Sequence, residues 1–423
     1  MIIKSSMNKI YNIKLSIENL VLFSSIILIF FTLFGTDLPF QGKSYEEVFE
    51  QETSNINNQI VYSLLFILSL VPLIKKYNKI LSFLIKEKFL TLFILLCILS
   101  AAWSDYSLIS LKRSFQLFVS FLVIVNSVLF LDINVLLKPL KIIVPLYLFT
   151  NLFSCLIIPQ AVDKAGYWMG IHGHKNGLAQ GTYFVFLVST LYFEKGLDPI
   201  KKIYKYLIYT ICFLLIVKAQ SSTVIIVLTL TLGYWLIKRI EKIFEELKVG
   251  RFIMAFFLLF LFFSFSIILY YSSNLIALLP QLFGKDLTIS GRGPIWAFII
   301  SEIEKRPILG YGFSTYWIMG SQIVDIFASE FGGFKINQAH NGYLEILLQL
   351  GFVGLFFFII MIIELLYRAL KIRHDLPIIV LISLLIINYT ESILFQPRGI
   401  GTLVIIVNYI LTTNFFLKMT GYK

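Results

Sequence analysis

Long apolar runs separated by short charged or turn-rich breaks dominate this chain. Most runs approach the ~20 residues that a helix needs to cross the hydrocarbon core of a bilayer. Cutting the chain at the breaks predicts twelve spans, of which the second and seventh are the least certain in length. They cover residues 20–36, 59–74, 88–103, 108–131, 142–159, 176–193, 203–217, 221–237, 252–273, 342–366, 376–394 and 400–417. Because backbone groups in lipid must pair internally and the runs are too evenly apolar for barrel strands, we predict an all-α polytopic membrane protein.

One long polar segment interrupts this pattern, between the ninth and tenth spans. It covers residues 274–341, and we treat it as a large loop of a single integral-membrane domain that runs from residue 1 to residue 423. Within it, the short amphipathic segment Ile295 to Glu304 predicts a helix. That helix would either lie on the membrane surface as a lid or pack on the bundle. Gly332 and Gly333 predict a hinge in the same loop.

Composition supports the membrane assignment. Hydrophobic residues make up 58% of the 423 residues and charged residues only 14%, which is far from the balance of a soluble domain. The first apolar run has the lysine-rich start of a secretory signal, but no small-residue cleavage site follows it, so we interpret it as a retained span. The cysteines Cys97, Cys155 and Cys212 lie in apolar runs and predict neither a disulfide framework nor a zinc site.

The net charge of +12 is a topology signal. Cytoplasmic loops carry the excess of lysine and arginine, so placing both termini in the cytoplasm puts the main basic clusters inside. These include Lys75, Lys76 and Lys79; Lys195, Lys201, Lys202 and Lys205; Lys238, Arg239 and Lys242; and Arg368, Lys371 and Arg373. No nucleic-acid-binding module accompanies this charge, and we expect no nucleic-acid partner.

A smaller set of cations falls on the opposite, outer side, where the charge rule predicts few. The set contains Lys112, Arg113, Lys175, Lys218, Arg292 and Arg398. Several helix ends that carry inward-pointing cations predict a pocket for an anionic substrate. Two alternatives remain open: Lys112, Arg113 and Lys218 extend along their helices to the interface, or Arg398 pairs with Glu391 between helices.

Five sequence motifs carry a family resemblance. They are AAWSDYSLISLKRS at 101–114, HKNGLAQ at 174–180, SGRGPIW at 290–296, RPILGYGF at 306–313 and AHNGYLEILLQLGFVG at 339–354. Taken in order, and each at its expected membrane end, they resemble the O-antigen ligase and exopolysaccharide polymerase family. The likeness runs from about residue 95 to the C-terminus, whereas residues 1–90 match only in being membrane spans.

The resemblance implies an integral-membrane glycosyltransferase of the GT-C type in the bacterial cytoplasmic (inner) membrane, with its active site on the extracytoplasmic face. The donor would be a glycan on undecaprenyl pyrophosphate, and the acceptor another glycan. The resemblance implies no cofactor and no metal. The chain also lacks an Asp-x-Asp pair that would hold a divalent cation on a sugar nucleotide. A flippase and a chain-length regulator are candidate partners besides the lipid bilayer.

Within that resemblance, Arg292 and His340 are the candidate catalytic residues. An arginine fork matches phosphate oxygens and would stabilise the departing pyrophosphate. A histidine with a reference pKa of ~6.5 accepts a proton from an attacking hydroxyl at neutral pH. The alternatives are a surface arginine that meets lipid headgroups and a histidine that only helps to cap the tenth span. The candidate substrate-binding residues are Arg113, Lys175, Asn176, Lys218, Tyr311, Asn341, Tyr343 and Glu345.

Two questions about function stay open from the sequence alone: enzyme or transporter, and polymerase or ligase. A repeat-unit transporter would also need internal cations, but it would place charges along mid-span positions, and here they collect at one membrane face. Polymerase and ligase share the loop motifs. The 101–114 and 174–180 motifs favour the polymerase branch, with the ligase that transfers glycan to a lipid A core as the alternative.

Overall fold

The structure is a computed structural model, and it describes residues 16–36, 40, 55–192, 199–246, 292–318, 337–372 and 374–420. The predicted ninth span, 252–273, and the predicted hinge at Gly332 and Gly333 lie outside these residues. Every regular element of the described residues is helical. The α-helices are α1 Ile17–Phe34, α2 Ile56–Lys75, α3 Tyr77–Lys86, α4 Lys88–Leu99, α5 Ser107–Phe130, α6 Ile133–Ile157, α7 Lys175–Tyr192, α8 Pro199–Ala219, α9 Ser222–Glu246, α10 Arg292–Lys305, α11 Gly342–Lys371, α12 Leu376–Thr390 and α13 Ile400–Thr420.

Six helices of the described part are long and apolar enough to cross a membrane: α1, α2, α5, α6, α9 up to Ile243, and α11. The helices α4, α12 and α13 are apolar but shorter. Helices α7 and α8 occupy the places of the predicted sixth and seventh spans. An all-helical membrane protein is therefore confirmed, whereas the count of twelve spans and the sidedness of the loops stay predictions.

Helix α5 lies at the centre of the bundle. Its residues 119–128 are all buried, on every face of the helix, as expected for a helix enclosed by others. It packs against α1, α2, α4 and α13. A hydrogen bond of 2.6 Å between the Ser25 and Ser127 hydroxyls joins it to α1. The N-terminal end of α5 carries the 101–114 motif, so the rigid centre of the bundle supports one wall of the site described below.

Helix α11 is broken at Gly351, which has a φ of 61°. The break frees backbone groups on both sides, and the segment 307–312 pairs with them. Tyr311 N–H donates to the Leu348 carbonyl at 3.0 Å and Gly312 N–H to the Gln349 carbonyl at 2.8 Å. In return, Phe352 N–H donates to the Pro307 carbonyl at 2.8 Å. We call this pairing of 307–312 with 348–353 the clasp.

Close backbone contact explains the glycines of the clasp. A Cβ on Gly351 would lie 2.2 Å from the Ile308 carbonyl oxygen, and one on Gly310 would lie 2.6 Å from the Gln349 carbonyl carbon. Gly310 also has a φ of 64°, which L side chains rarely adopt. Gly310 and Gly351 therefore allow two segments of backbone to touch, one from each motif.

The 101–114 motif packs on the other side of the clasp. Trp103 Nε1 donates to the Leu309 carbonyl at 3.0 Å, and the Phe313 N–H donates to Ser100 Oγ at 2.8 Å. The Ser104 and Thr315 hydroxyls are 3.0 Å apart. Three motifs that lie far apart along the chain thus form one unit at one end of the bundle.

Helix α10 packs on this unit. Ile295, Ile299 and Ile303 are buried against a cluster that includes Trp317 and Leu348. The predicted helix at 295–304 is therefore present, and of the two predicted arrangements the structure has the one in which it packs on the bundle. Its first residue, Arg292, is brought to the loops that connect α11 and α12 to their neighbours.

Candidate functional site

A buried carboxylate, Glu391, lies at the centre of the candidate site. Its Oε1 accepts from Arg292 Nη2 at 2.8 Å and from Asn176 Nδ2 at 2.6 Å. Its Oε2 lies 3.2 Å from His340 Nδ1. The Glu391 side chain is only 7% exposed, while those of Arg292 and His340 are 18% and 21% exposed. The structure therefore brings together both candidate catalytic residues and one candidate binding residue around a single acid, and we call these four residues the Glu391 cluster.

The end of helix α12 presents Glu391 to this cluster. The predicted span 376–394 is too long, because the helix stops at Thr390 and residues 391–399 form a connection to α13. The buried Asn388 ends the helix: its Oδ1 accepts the N–H groups of Ile393 at 3.3 Å and Leu394 at 3.1 Å. The chain turns there instead of continuing, so the acid lies at the helix end and not along the wall of a span.

Each residue of the His-Asn-Gly sequence at 340–342 has its own structural role. His340 has a φ of 48°, a left-handed conformation that is uncommon outside glycine. Asn341 caps α11, and its Oδ1 accepts from Tyr343 N–H at 3.0 Å and Leu344 N–H at 3.2 Å. Gly342 is needed because a Cβ there would lie 1.9 Å from Asn388 Oδ1. The same Asn388 thus shapes the loop of Glu391 and contacts the start of α11 beside His340.

Replacing Gly342 tests its close contact with Asn388. Gly342→Ala should lower the free energy of unfolding by ~1–3 kcal/mol, because the added methyl group overlaps Asn388 in a packed region. The apparent melting temperature of the protein in detergent, followed by tryptophan fluorescence, measures the loss. Gly233→Ala is the matched control: Gly233 lies in α9 with nothing within 4 Å of an added Cβ, and there alanine should be neutral or stabilising. Equal melting temperatures for the two variants would contradict the contact.

Arg292 is held by the N-terminal part of α10. The next turn of that helix is anchored by Trp296, whose Nε1 donates to the Ala339 carbonyl at 3.1 Å. The Trp296 ring also packs edge-on against Tyr389, with ring centroids 6.0 Å apart. Because one residue of α10 contacts both the loop of His340 and the end of α12, the position of Arg292 is fixed relative to His340 and Glu391.

The charges of the Glu391 cluster favour an ionised acid. Burial alone would raise the pKa of Glu391, but His340, Arg292 and His174 outweigh burial and lower that pKa below its ordinary value. An ionised carboxylate only accepts hydrogen bonds, so the proton in the His340 contact belongs to Nδ1. In the neutral ring, Nε2 then keeps its lone pair. Nε2 is therefore the ring atom of His340 that can accept a proton.

A second buried carboxylate, Glu345, accepts hydrogen bonds that hold the loop of His340 in place. Its carboxylate accepts from Trp317 Nε1 at 2.9 Å, from Ala339 N–H at 2.8 Å and from Gln349 Nε2 at 2.6 Å. Ser392 Oγ lies 3.4 Å from it. Two of these partners, Ala339 and Ser392, are the chain neighbours of His340 and Glu391. These contacts give Glu345 a structural role, whereas its predicted contact with substrate stays a prediction.

The three predicted cationic binding residues make their contacts outside the Glu391 cluster. Arg113 donates to the carbonyl of Ser314, which has a φ of 56°. Lys175 Nζ lies 3.6 Å from the centre of the Tyr167 ring, and Lys218 Nζ lies 5.9 Å from that of Trp168. Both lysines therefore contact the segment between α6 and α7.

The two predicted tyrosines make hydrogen bonds within the protein. Tyr311 Oη donates to Glu302 Oε2 at 3.0 Å and the side chain is buried. Tyr343 Oη donates to the Leu385 carbonyl at 3.0 Å. Both hydroxyls thus tie neighbouring elements together, and stacking of these rings on sugars stays a prediction.

A polar cavity of about 530 Å³ adjoins the Glu391 cluster. Gln338 and Ser392 line it, and they lie in the same two loops as His340 and Glu391. Its other lining residues include three cations, Lys112, Arg113 and Arg398. The sequence alternative that paired Arg398 with Glu391 is not what the structure has, because Glu391 pairs with Arg292 and Arg398 lines the cavity.

The sequence does not identify Glu391 as a candidate site residue, although the structure places it at the centre of the cluster. The sequence suggests it only as a partner of Arg398. An acid inside an apolar segment is costly and points to a functional role by default, so the isolated Glu391 was an available signal. The partners of that acid were not available, because Asn176 and Arg292 lie 215 and 99 residues away along the chain.

Comparison with known protein families gives a match over part of the chain. Residues 207–359 match the family described as O-Antigen ligase. This match confirms the resemblance to the O-antigen ligase and polymerase family. It includes Arg292 and His340, while Glu391 and Asn176 lie outside it.

A curated protein is also similar to part of this chain. It is the exopolysaccharide production protein ExoQ of Rhizobium meliloti (strain 1021), 29% identical over 94 residues. The match covers 21% of this chain and 21% of that protein, so the chain matches about a fifth of the length of its curated relative.

Proposed function

We propose that this protein polymerises undecaprenyl-pyrophosphate-linked oligosaccharide repeat units into a surface polysaccharide, at the outer face of the bacterial cytoplasmic membrane. The observation that carries the proposal is the convergence of Arg292, His340 and Asn176 on Glu391. These residues come from three motifs that resemble the family, and a shared buried acid gives them one chemical centre.

The proposed reaction is a one-step displacement. The acceptor hydroxyl attacks the anomeric carbon of the donor, the bond from that carbon to the pyrophosphate oxygen breaks, and undecaprenyl pyrophosphate leaves with the electron pair. The hydroxyl proton passes to His340 Nε2, which Glu391 orients through Nδ1. Attack from the face opposite the leaving group inverts the anomeric carbon. No metal or cofactor takes part in this scheme.

Arg292 has two roles in this scheme. It keeps Glu391 ionised through the 2.8 Å ion pair, and its remaining N–H groups are available to the departing pyrophosphate oxygen. The developing positive charge on His340 is stabilised by the same carboxylate. The Glu391 carboxylate therefore does two things: it stabilises His340 as that residue takes the proton, and it holds Arg292 in position.

A ligase that transfers the glycan to a lipid A core or another acceptor is the second candidate. The match to the family described as O-Antigen ligase favours it. The same Glu391 cluster serves both reactions, since they differ only in the molecule that supplies the hydroxyl. A repeat-unit transporter is a weaker proposal, because an acid, a base and a cation gathered at one point are typical of a reaction centre rather than of a transport path. A flippase and a chain-length regulator stay predicted partners.

Deletion of the gene in its host tests the proposal. Surface glycan is separated on a gel, and the deletion is complemented with the wild-type gene. Single repeat units that persist on their usual acceptor support a polymerase. Full-length polymer that accumulates on undecaprenyl pyrophosphate, with none on the final acceptor, supports the ligase. Unchanged surface glycan would reject both.

A further inference from the structure

Helix α3 differs from the helices on either side of it, because its sequence is amphipathic. It directly follows α2 and directly precedes α4, which are both apolar. The chain therefore leaves one apolar helix at Lys75 and starts the next at Lys88, with α3, a helix of 10 residues, between them. A helix in that place lies where two apolar helices end, which is a boundary of the membrane.

Two further helices show which end of the bundle α3 occupies. Helix α5 begins at the 101–114 motif beside the clasp, and near its other end the Leu129 carbonyl accepts from Lys79 Nζ of α3 at 2.7 Å. Helix α11 starts beside the Glu391 cluster, and in its last turn Arg368 donates to Glu87, the residue that follows α3, at 2.7 Å. The 24 residues of α5 extend about 36 Å, which exceeds the ~30 Å of the hydrocarbon core. Helix α3 therefore lies at the end of the bundle opposite the Glu391 cluster.

Helix α3 has an apolar half that is only partly covered by protein. Ile80 and Phe83 are buried in the core of the bundle. Tyr77, Leu81 and Ile85 recur every four residues and form a stripe beside them, with exposed fractions of 60%, 52% and 66%. A continuous apolar surface of this kind marks a contact with a partner or with a membrane. At the boundary of a membrane, the acyl chains next to the bundle would cover this stripe.

The polar half of α3 carries positive charge. Asn78 and Ser82 are exposed on it, and Lys86 follows at the same spacing of four residues. Exposed lysines lie at both ends of the helix: Lys75, Lys76, Lys86 and Lys88. The one acid of residues 75–88 is Glu87, which is buried and paired with Arg368. The exposed charge of this stretch is therefore entirely positive.

These two halves fit the interface of a membrane better than they fit water or the hydrocarbon core. A helix of this kind lies in the plane of the interface, with its apolar side among the acyl chains and its lysines among the headgroups. A cluster of lysines beside a membrane span attracts anionic phospholipids. We infer that α3 lies in the membrane interface and that Lys75, Lys76, Lys86 and Lys88 bind the phosphate groups of anionic phospholipids. The inference goes beyond the proposed function and does not depend on it.

Lipid bound at α3 should stabilise the whole bundle. Lys79 fixes α3 to the end of α5, and Glu87 fixes the start of α4 to the end of α11. A lipid that holds α3 in the interface therefore also holds the ends of two helices that begin at the candidate site. Because a ligand that binds only the folded protein raises its melting temperature, the melting temperature reports this binding.

Two fluorescent labels test the position of α3. Leu81→Cys and Asn78→Cys are labelled separately, and the native cysteines are buried and stay unlabelled. The labelled proteins are placed in nanodiscs of phosphatidylglycerol and phosphatidylcholine. A nitroxide on the lipid acyl chain should quench the Leu81→Cys label, and iodide in the water should quench the Asn78→Cys label. Quenching of the Leu81→Cys label by iodide would overturn the placement of α3 in the interface.

Melting temperatures test the choice of headgroup. The purified protein in detergent is titrated with phosphatidylglycerol, and unfolding is followed by tryptophan fluorescence. Phosphatidylglycerol should raise the melting temperature, whereas phosphatidylcholine should leave it nearly unchanged. Lys86→Gln should raise about fivefold the phosphatidylglycerol concentration that gives half of the shift, because it removes one lysine from the anionic headgroups. Lys86→Arg keeps the charge and should titrate as the wild type does.

Lys164→Gln is the matched control, because Lys164 is an exposed lysine in the segment between α6 and α7, outside α3. It should leave the titration unchanged. Replacement of Lys75, Lys76, Lys86 and Lys88 together by glutamine should remove most of the shift. An equal shift with phosphatidylcholine, or a combined variant that responds as the wild type does, would overturn the inference. Neither result would bear on the proposed function.

Discussion

Replacing His340 by alanine should abolish polymer formation and leave the protein in the membrane. A positioned general base contributes ~10²–10⁴-fold to such a reaction, so turnover in a purified assay should fall by that factor. The assay follows the conversion of lipid-linked repeat units to polymer, and membrane levels of the protein are measured by immunoblot. Polymer retained by the variant would remove His340 from the mechanism.

The conformation of His340 calls for a second variant. Its φ of 48° disfavours alanine for reasons unrelated to catalysis. Asparagine tolerates this region well but has no group that accepts a proton at neutral pH. His340→Asn should therefore be as inactive as His340→Ala while it melts at the wild-type temperature. Activity restored in His340→Asn would show that the alanine variant had failed through its backbone.

Glu391→Gln should have the second largest effect. Glutamine has nearly the same shape but no charge, so it keeps the packing and loses the ion pair with Arg292 and the charged partner of His340 Nδ1. We expect turnover to fall roughly 100-fold or more, as when a carboxylate that orients a catalytic histidine is replaced. Because Glu391 is buried and is proposed to act through His340 and Arg292, the apparent KM for the donor should change little.

A double-mutant cycle separates positioning from simple stability. If Arg292 and Glu391 act as one unit, the variant that combines Arg292→Gln with Glu391→Gln should be no slower than the slower single variant. Independent roles would instead multiply the two losses. Glu391→Asp is the matched control for charge: it keeps the anion, shortens the side chain by one methylene, and should recover part of the lost turnover. Turnover near the wild-type value in Glu391→Gln would exclude Glu391 as a positioning residue.

The sequence predicted the helices better than it predicted their ends. Apolar runs show where a helix lies, because burial in lipid depends on the average polarity of a segment. Where a helix stops depends on single contacts. Helix α12 ends at Thr390 because Asn388 takes two backbone N–H groups, and no average over the segment reveals that.

It was easier to predict from the sequence which residues belong to the candidate site than how they are arranged in space. Arg292, His340 and Asn176 followed from motifs, since each stands out chemically from its apolar surroundings. Their common partner Glu391 did not follow, because contacts between segments hundreds of residues apart leave no local pattern. The same limit applies to Gly310 of the clasp, because the backbone that it contacts lies at a break in another helix.

The clasp also bears on how the protein is made. It joins residues 307–312 to 348–353, and the Glu391 cluster joins Asn176 to an acid that lies 215 residues later. During synthesis, the ribosome must therefore make Glu391 before the other three cluster residues can meet their central partner. A nascent chain that stops short of Glu391 can insert its helices and still have no assembled cluster. On the proposed function, membrane insertion and the onset of activity are thus separate events.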